Sequence, residues 1–207
     1  MYTTSNLLKL NLEVLAFSGL PGSGKDTAAA QVYCPEKHIH LKFSNIVYDM
    51  AASLLGTYEA DFTHRILLSD RKVKGYEVMV GGRRMTIRQV LQGFNSLKDY
   101  FGNSVYVDAL SKQLFRAATE RDISGVIISD LRFKEEYDWL RYIGGQLIYI
   151  ERPDLVSDPD VLSHVSESNH EFLRDNADAV IQNNGTKQDL KNALIAALDK
   201  DALVAVQ

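Results

Sequence analysis

The sequence predicts an α/β fold, a parallel sheet covered by helices on both faces, and three observations carry that prediction. Short apolar runs alternate with helix-length stretches along most of the 207 residues. Gly125-Val-Ile-Ile-Ser-Asp130 reads as a strand buried on both faces and ending in a carboxylate. A glycine-rich turn, Gly19-Leu-Pro-Gly-Ser-Gly-Lys-Asp-Thr27, joins the first apolar run directly to a helix.

A chain of 207 residues supports one core that buries roughly 70% of its unfolded surface and is too short for two full domains. Residues 1–207 are therefore expected to form a single domain with embellishments. A net charge of -4 argues against a nucleic-acid partner, which usually meets a basic surface. Cys34 is the sole cysteine, so neither a disulfide framework nor a cysteine-based metal site is expected. The first residues lack the pattern of a signal peptide, and no apolar stretch approaches the roughly 20 residues that span a bilayer. The expectation is a cytoplasmic protein acting on a small molecule, with no membrane or nucleic-acid partner; a homodimer is compatible with it.

The first strand runs from Leu12 to Phe17, and its helix extends from the glycine-rich turn to about Tyr33. Ile39 to Phe43 reads as the second strand and Asn45 to Leu55 as the next helix. Residues 56–85 break the rhythm and read as an insertion, in which Tyr76 to Val80 and Arg83 to Met85 flank Gly81-Gly82, a pair suited to a tight hairpin. From Arg65 to Arg88 the chain carries Arg65, Arg71, Lys72, Lys74, Arg83, Arg84 and Arg88 against Asp70 and Glu77, an excess of +5 that suggests an anionic ligand or simply a solvated charged excursion.

From the cap Thr86 a single helix is expected, with Ile87, Val90, Leu91, Phe94, Leu97 and Phe101 on its apolar face. At about 100° per residue, Arg88, Gln92, Asn95 and Asp99 form a polar stripe along the same helix. Helices at Ser104 to Ala118, Lys134 to Ile143 and Lys187 to Leu198, with strands at Gln146 to Ile150 and Ala179 to Ile181, complete the pattern. Arg152 to Asn176 is polar and proline-punctuated, a functional loop by its length, in which Ser166 caps a short helix over Asn169 to Leu173 or serves a ligand.

The chemistry begins at the turn. Gly19, Gly22 and Gly24 admit backbone angles closed to other residues, so successive N–H groups can turn around an anion while Lys25 adds a mobile charge. The following helix points its positive end at the same spot. This is a phosphate-cradling P-loop with one departure: the residue after the lysine, usually a Ser or Thr on magnesium, is Asp26, with Thr27 one place later.

A parallel sheet binds ligands beyond the C-terminal ends of its strands, which selects Asp130 and Arg132, Arg152, and Asn183 to Gly185. Asp130 resembles the second P-loop signature, a strand-terminal carboxylate in the magnesium shell, or caps the next helix. Arg132 and Arg152 suit charge spreading over a transferring phosphoryl group. A Ser-His-Asp triad, zinc spacing and the motifs of a GTP switch are missing, which leaves a small-molecule kinase ahead.

On these residues the chain resembles the phage-type deoxynucleoside monophosphate kinases, a branch of the P-loop nucleotide kinases. The resemblance covers most of the chain and rests on Ser23-Gly-Lys-Asp-Thr27, Ile87-Arg-Gln-Val-Leu-Gln92 leading to Tyr106, Ser129-Asp-Leu-Arg132 followed by Glu135 or Glu136, Gly144-Gly145 with Glu151-Arg-Pro153, His164-Val-Ser-Glu167, and Asn183-Asn-Gly185. It implies a P-loop NTPase fold with a monophosphate-binding insertion at 56–85 and a lid-like segment at 152–176. It also implies transfer of the γ-phosphoryl of ATP, with Mg²⁺, to a deoxynucleoside 5′-monophosphate. By resemblance Gly22, Ser23, Gly24, Lys25, Asp26 and Thr27 hold the ATP phosphates, with His164 and Glu167 near the ATP. Asp26, Thr27 and Asp130 surround the metal. Arg71, Arg88, Asn95, Tyr106, Asp130 and Arg132 serve the monophosphate, and Lys25, Arg88, Asp130, Arg132 and Arg152 serve the transfer. Two alternatives stay open: a P-loop kinase of another metabolite, and a nucleotide-binding regulator without turnover.

Overall fold

The computed structural model describes residues 7, 12–55, 75–153 and 166–204, without the side chains of 166–168 and 199–204. The chain divides into two compact units, Met1–Leu41 with Ser111–Gln207, and Lys42–Leu110.

The first unit is built on five strands: β1 (Glu13–Ser18), β2 (His38–Leu41), β5 (Gly125–Ile128), β6 (Gln146–Glu151) and β7 (Ala179–Gln182). Their spatial order is β2-β5-β1-β6-β7 and all four pairings are parallel, as the alternating pattern predicts. Glu13 pairs with Gly125 on one side of β1 and Leu15 with Gln146 on the other, so β1 is central and its C-terminal end is flanked by two strand ends. The chain reverses direction across the sheet at β1, which opens a crevice beyond its carboxyl end.

On one face, Leu15, Phe17, Ile127, Ile148, Ile150 and Ile181 pack under Ala28 and Ala29 of α1 (Lys25–Val32) and Leu190 and Leu194 of α8 (Lys187–Val204). Small alanines on α1 let this helix lie close to the sheet, which fixes the turn that precedes it. The opposite face carries α6 (Lys134–Tyr142) and α7 (Ser166–Asp175), with Trp139, Leu140 and Leu173 buried. Thr186 caps α8 by accepting from the Asp189 N–H at 3.2 Å while the Asp189 carboxylate accepts from the Thr186 N–H at 2.8 Å.

In the second unit, α2 (Phe43–Leu54) packs on α3 (Ile87–Asn95), and Phe43, Ile46 and Val47 of the one and Ile87, Val90 and Leu91 of the other are buried. The expected hairpin is present as β3 (Glu77–Val80) and β4 (Arg83–Thr86), with Gly81 and Gly82 at φ 57° and 77°, the left-handed pair of a two-residue turn. Thr86 caps α3 in a reciprocal box with Gln89, its Oγ1 accepting from the Gln89 backbone N–H at 3.2 Å and its own backbone N–H donating to the Gln89 side-chain Oε1 at 2.8 Å.

Two expectations are corrected. The single helix expected through Phe101 ends at Asn95, and α4 (Leu97–Phe101) follows as a separate short helix. Tyr106 at the start of α5 (Val105–Glu120) donates its hydroxyl to the Phe94 carbonyl, a partner outside a continuing helical ladder, while at the helix end Ser96 donates both its N–H and its Oγ–H to the Gln92 carbonyl, at 3.1 and 3.2 Å. Phe101, expected on the apolar face, is 70% exposed. The Arg152–Asn176 loop contains the ten-residue α7, longer than the expected Asn169–Leu173 helix, and Ser166 is its first residue rather than a cap ahead of it.

Candidate active site

After Ser18 the chain turns through residues whose conformations only glycine tolerates well: φ is 142° at Gly19, 91° at Gly22 and 97° at Gly24. A Cβ on Gly19 would lie 2.3 Å from the Ile150 carbonyl oxygen, so the loop is pressed against the end of β6. Ser23 donates its N–H to the Leu20 carbonyl at 3.0 Å, closing the turn. From the other side, Asn183, just past β7, donates its Nδ2–H to the Ser23 carbonyl at 2.7 Å. The ends of β6 and β7 therefore hold the loop in place.

Gly24 is the left-handed N-cap of α1 and brings no capping side chain; the first intrahelical bond is Ala28 N–H to the Gly24 carbonyl at 2.8 Å. The amides of the first turn are the donors that an anion takes at a helix N-terminus, reinforced by the helix dipole. Lys25 is only 8% exposed and donates Nζ to the Leu20 carbonyl at 3.4 Å, so its charge is held beside the loop. A cleft of about 390 Å³ opens here, lined by Gly22, Gly24, Lys25, Asp26 and Thr27 from the loop side. Arg152, Asn183 and Gly185 line it from beyond the ends of β6 and β7, and Lys187 and Leu190 from the start of α8.

At the end of β5, Ser129 and Asp130 are buried and Arg132 is exposed. Ser129 donates Oγ–H to Asp26 Oδ1 at 2.9 Å, and its Oγ lies 2.8 Å from His40 Nε2. The backbone N–H groups of Arg132 and Phe133 donate to the Glu136 carboxylate at 2.7 and 3.1 Å. Burial pushes the Glu136 carboxyl up to about 8, against the pull of the Arg132 N–H, and the Asp130 charge adds to the rise. His170 of α7 is 8% exposed, stacked edge-on to Tyr149. Burial first, then the positive charges of Arg132 and Lys25, hold its imidazole down to about 4, so it is neutral.

The arrangement suits a polyphosphate. Among the described residues no group of three or more His, Cys, Asp or Glu side chains can hold a metal ion by itself. Oxygen donors at Asp26, Thr27 and Asp130 do suit Mg²⁺, which takes one or two carboxylates and completes its shell with phosphates and water.

Lys25, Asp26, Thr27, Gly22, Gly24 and Arg152 thus meet in one cleft, with Ser23 buried behind it and Asp130 and Arg132 at the adjoining strand end. Arg88, Asn95 and Tyr106 belong to the other unit, where Arg88 and Asn95 are exposed on α3 and Tyr106 is buried on Phe94. Glu167 falls in the first turn of α7, and Arg71 and His164 lie outside the described residues. The sequence reading did not single out His40, His170, Ser129 as a partner of Asp26, or Asn183 as a tether of the loop. The strand-end rule reaches Ser129 and Asn183; the histidines carry no local signal.

Residues 76–194 match the family model for deoxynucleotide monophosphate kinase. An Acanthamoeba polyphaga mimivirus protein named "Putative deoxynucleotide monophosphate kinase" is 28% identical over 202 residues, 90% of this chain and 96% of the relative. The cytidine diphosphoramidate kinase of Campylobacter jejuni is 26% identical over 149 residues, covering 63% of this chain and 86% of that protein. Among solved structures, the dephospho-CoA kinase from Campylobacter jejuni shares the fold at a TM-score of 0.50 and 16% identity, over 90% of this chain and 96% of that one.

Proposed function

As the chain belongs to the deoxynucleotide monophosphate kinase family and is a nucleotide kinase, we propose that it moves the γ-phosphoryl of ATP onto a deoxynucleoside 5′-monophosphate, yielding the diphosphate and ADP. The observation that carries this reading is the glycine cradle at Gly19, Gly22 and Gly24, with the Lys25 charge held beside it and an uncapped helix start behind it.

Phosphoryl transfer asks a protein chiefly to position two anions and to neutralise charge on the moving group. In this proposal the first-turn amides of α1 bind the β- and γ-phosphates and Lys25 neutralises the oxygens that gain charge in the transition state. Arg152 reaches the ATP from the end of β6, and His164 and Glu167 from the lid-like segment 152–176. Arg132 faces both nucleotides, and Asp130 orients the acceptor. The charged insertion 56–85 and Arg71, Arg88, Asn95 and Tyr106 serve the monophosphate. Asp26, Thr27 and Asp130 would hold Mg²⁺, which when bound supplies charge neutralisation between the phosphates. The protein acts in the cytoplasm as one P-loop kinase domain.

The test is ADP release with each deoxynucleoside monophosphate and its ribo counterpart in turn. Release that depends on a deoxynucleoside monophosphate supports the reading. Release only with a different metabolite makes the protein another P-loop kinase, and nucleotide binding without release in any pairing makes it a regulator.

A further inference from the structure

The residue after the P-loop lysine is an exposed carboxylate, and a hydroxyl stands behind it. Ser129 is 0% exposed, so its Oγ reaches no ligand directly; it reaches Asp26 Oδ1, at 2.9 Å. The bond has a fixed direction. A hydroxyl has one proton, and an ionised carboxylate only accepts, so the proton points to Asp26. Ser129 Oγ then offers a lone pair to His40 Nε2 at 2.8 Å, and that ring nitrogen carries the hydrogen.

The fold supplies this line of groups from three elements of one unit. His40 pairs in register with Ile127 of β5, and Ser129 lies two residues further along the same side of that strand. Asp26 comes from the first turn of α1. An aspartate side chain on a helix start otherwise samples several rotamers in water, and a metal shell completed by phosphates tolerates little error in ligand direction. Two hydrogen bonds in series hold that direction before any ligand arrives.

We propose that Ser129 and, through it, His40 are positioning residues that set the orientation of the Asp26 carboxylate toward the cation of a bound nucleotide. This rests on the nucleotide-kinase reading only for the presence of a magnesium nucleotide in the cleft, and not on the identity of the acceptor.

The experiment titrates Mg²⁺ into the full-length protein with a fluorescent ATP analogue and reads the Mg²⁺ midpoint and the metal-free affinity. Asp26→Asn marks the full effect. Ser129→Ala raises the midpoint about fivefold or more, as loss of one charge-assisted hydrogen bond implies, and leaves metal-free affinity within about twofold. His40→Ala, at an exposed position that does not threaten folding, raises it about two- to threefold, and His40→Gln, which keeps an N–H donor, restores it. The double variant is no worse than Ser129→Ala alone, because His40 acts through Ser129. The proposal is overturned by an unchanged midpoint in His40→Ala, by an equal fall in metal-free affinity, by additive effects, or by a wild type whose nucleotide binding ignores Mg²⁺. A wild type that binds the magnesium nucleotide but phosphorylates no deoxynucleoside monophosphate sinks the proposed acceptor and leaves the midpoints to judge the positioning roles.

Discussion

The two compact units bury different kinds of residue. In the sheet-bearing unit Ser18, Ser23, Lys25, Ser129, Asp130, Glu136 and His170 are all at most 8% exposed. In the 42–110 unit the buried residues among those described are apolar or, in Tyr106, an aromatic whose hydroxyl is spent on the Phe94 carbonyl. Its cations Arg83, Arg84 and Arg88 stand in water. Burying a polar group costs about 1–3 kcal/mol unless a partner compensates, so a unit that buries seven of them, at strand ends, in the glycine loop and on the helices beside it, is holding them for geometry. One unit fixes its chemistry in advance, and the other displays charge on exposed side chains.

The sharpest way to break that contrast is Lys25→Met. Turnover is expected to fall by about three orders of magnitude or more, with little change in melting temperature, because the charge acts on the transferring group. Near wild-type ADP release from the variant would remove the sheet-bearing unit from the chemistry.

Glycine substitutions compare the backbones directly. Gly19→Ala meets both a φ of 142° and the Ile150 carbonyl 2.3 Å away, and is expected to cost about 3 kcal/mol or more in denaturant unfolding. Gly82→Ala carries φ 77° into open space and should cost about 1 kcal/mol, the strain alone. Equal costs would mean that the loop after β1 is held no more tightly than the hairpin tip.

Arg88→Ala probes the exposed unit. We expect KM for the monophosphate to rise roughly ten- to a hundredfold while ATP affinity holds, the loss of one charged hydrogen-bond partner. A parallel loss of ATP affinity would assign Arg88 to the donor.

The smallest effect is a pH slope. Glu136 has its folded pKa raised to about 8, so between its ordinary value and 8 the folded state binds more protons than the unfolded one, and stability falls as pH rises. His170, held near 4, works in the opposite sense below its ordinary value, where stability is lost on acidification. Above about pH 6.5 only the Glu136 slope remains. Glu136→Gln keeps an acceptor for the Arg132 and Phe133 N–H groups and should flatten the loss from pH 6.5 to 8, worth at most about 2 kcal/mol. Melting curves of the two proteins that stay parallel across this window would show that Glu136 does not titrate there.

How much was legible varied by element. The P-loop, the Gly81-Gly82 hairpin and the Thr86 cap were read from local spacing, because each is decided within a few residues by backbone angles and nearby hydrogen bonds. The helix through Phe101 was not: its apolar periodicity continues past Ser96, but the Phe94 carbonyl is claimed by Tyr106, a residue from the next long helix. Arg88 and Asn95 were named from the sequence and do lie on one helix, yet nothing local says which ligand they meet.

By itself, then, the sequence determined the alternation of strands and helices, the parallel sheet, the anion cradle after β1 and the family that its motifs announce, since periodicity and turn chemistry are written in neighbouring residues. Only the tertiary structure decided what stands behind the cradle. Asn183 on the Ser23 carbonyl, Ser129 on Asp26, His40 on Ser129 and a neutral His170 near Lys25 join residues 89 to 160 apart or gather charges from separate elements. Such contacts depend on strand order and register, and no window of sequence contains them.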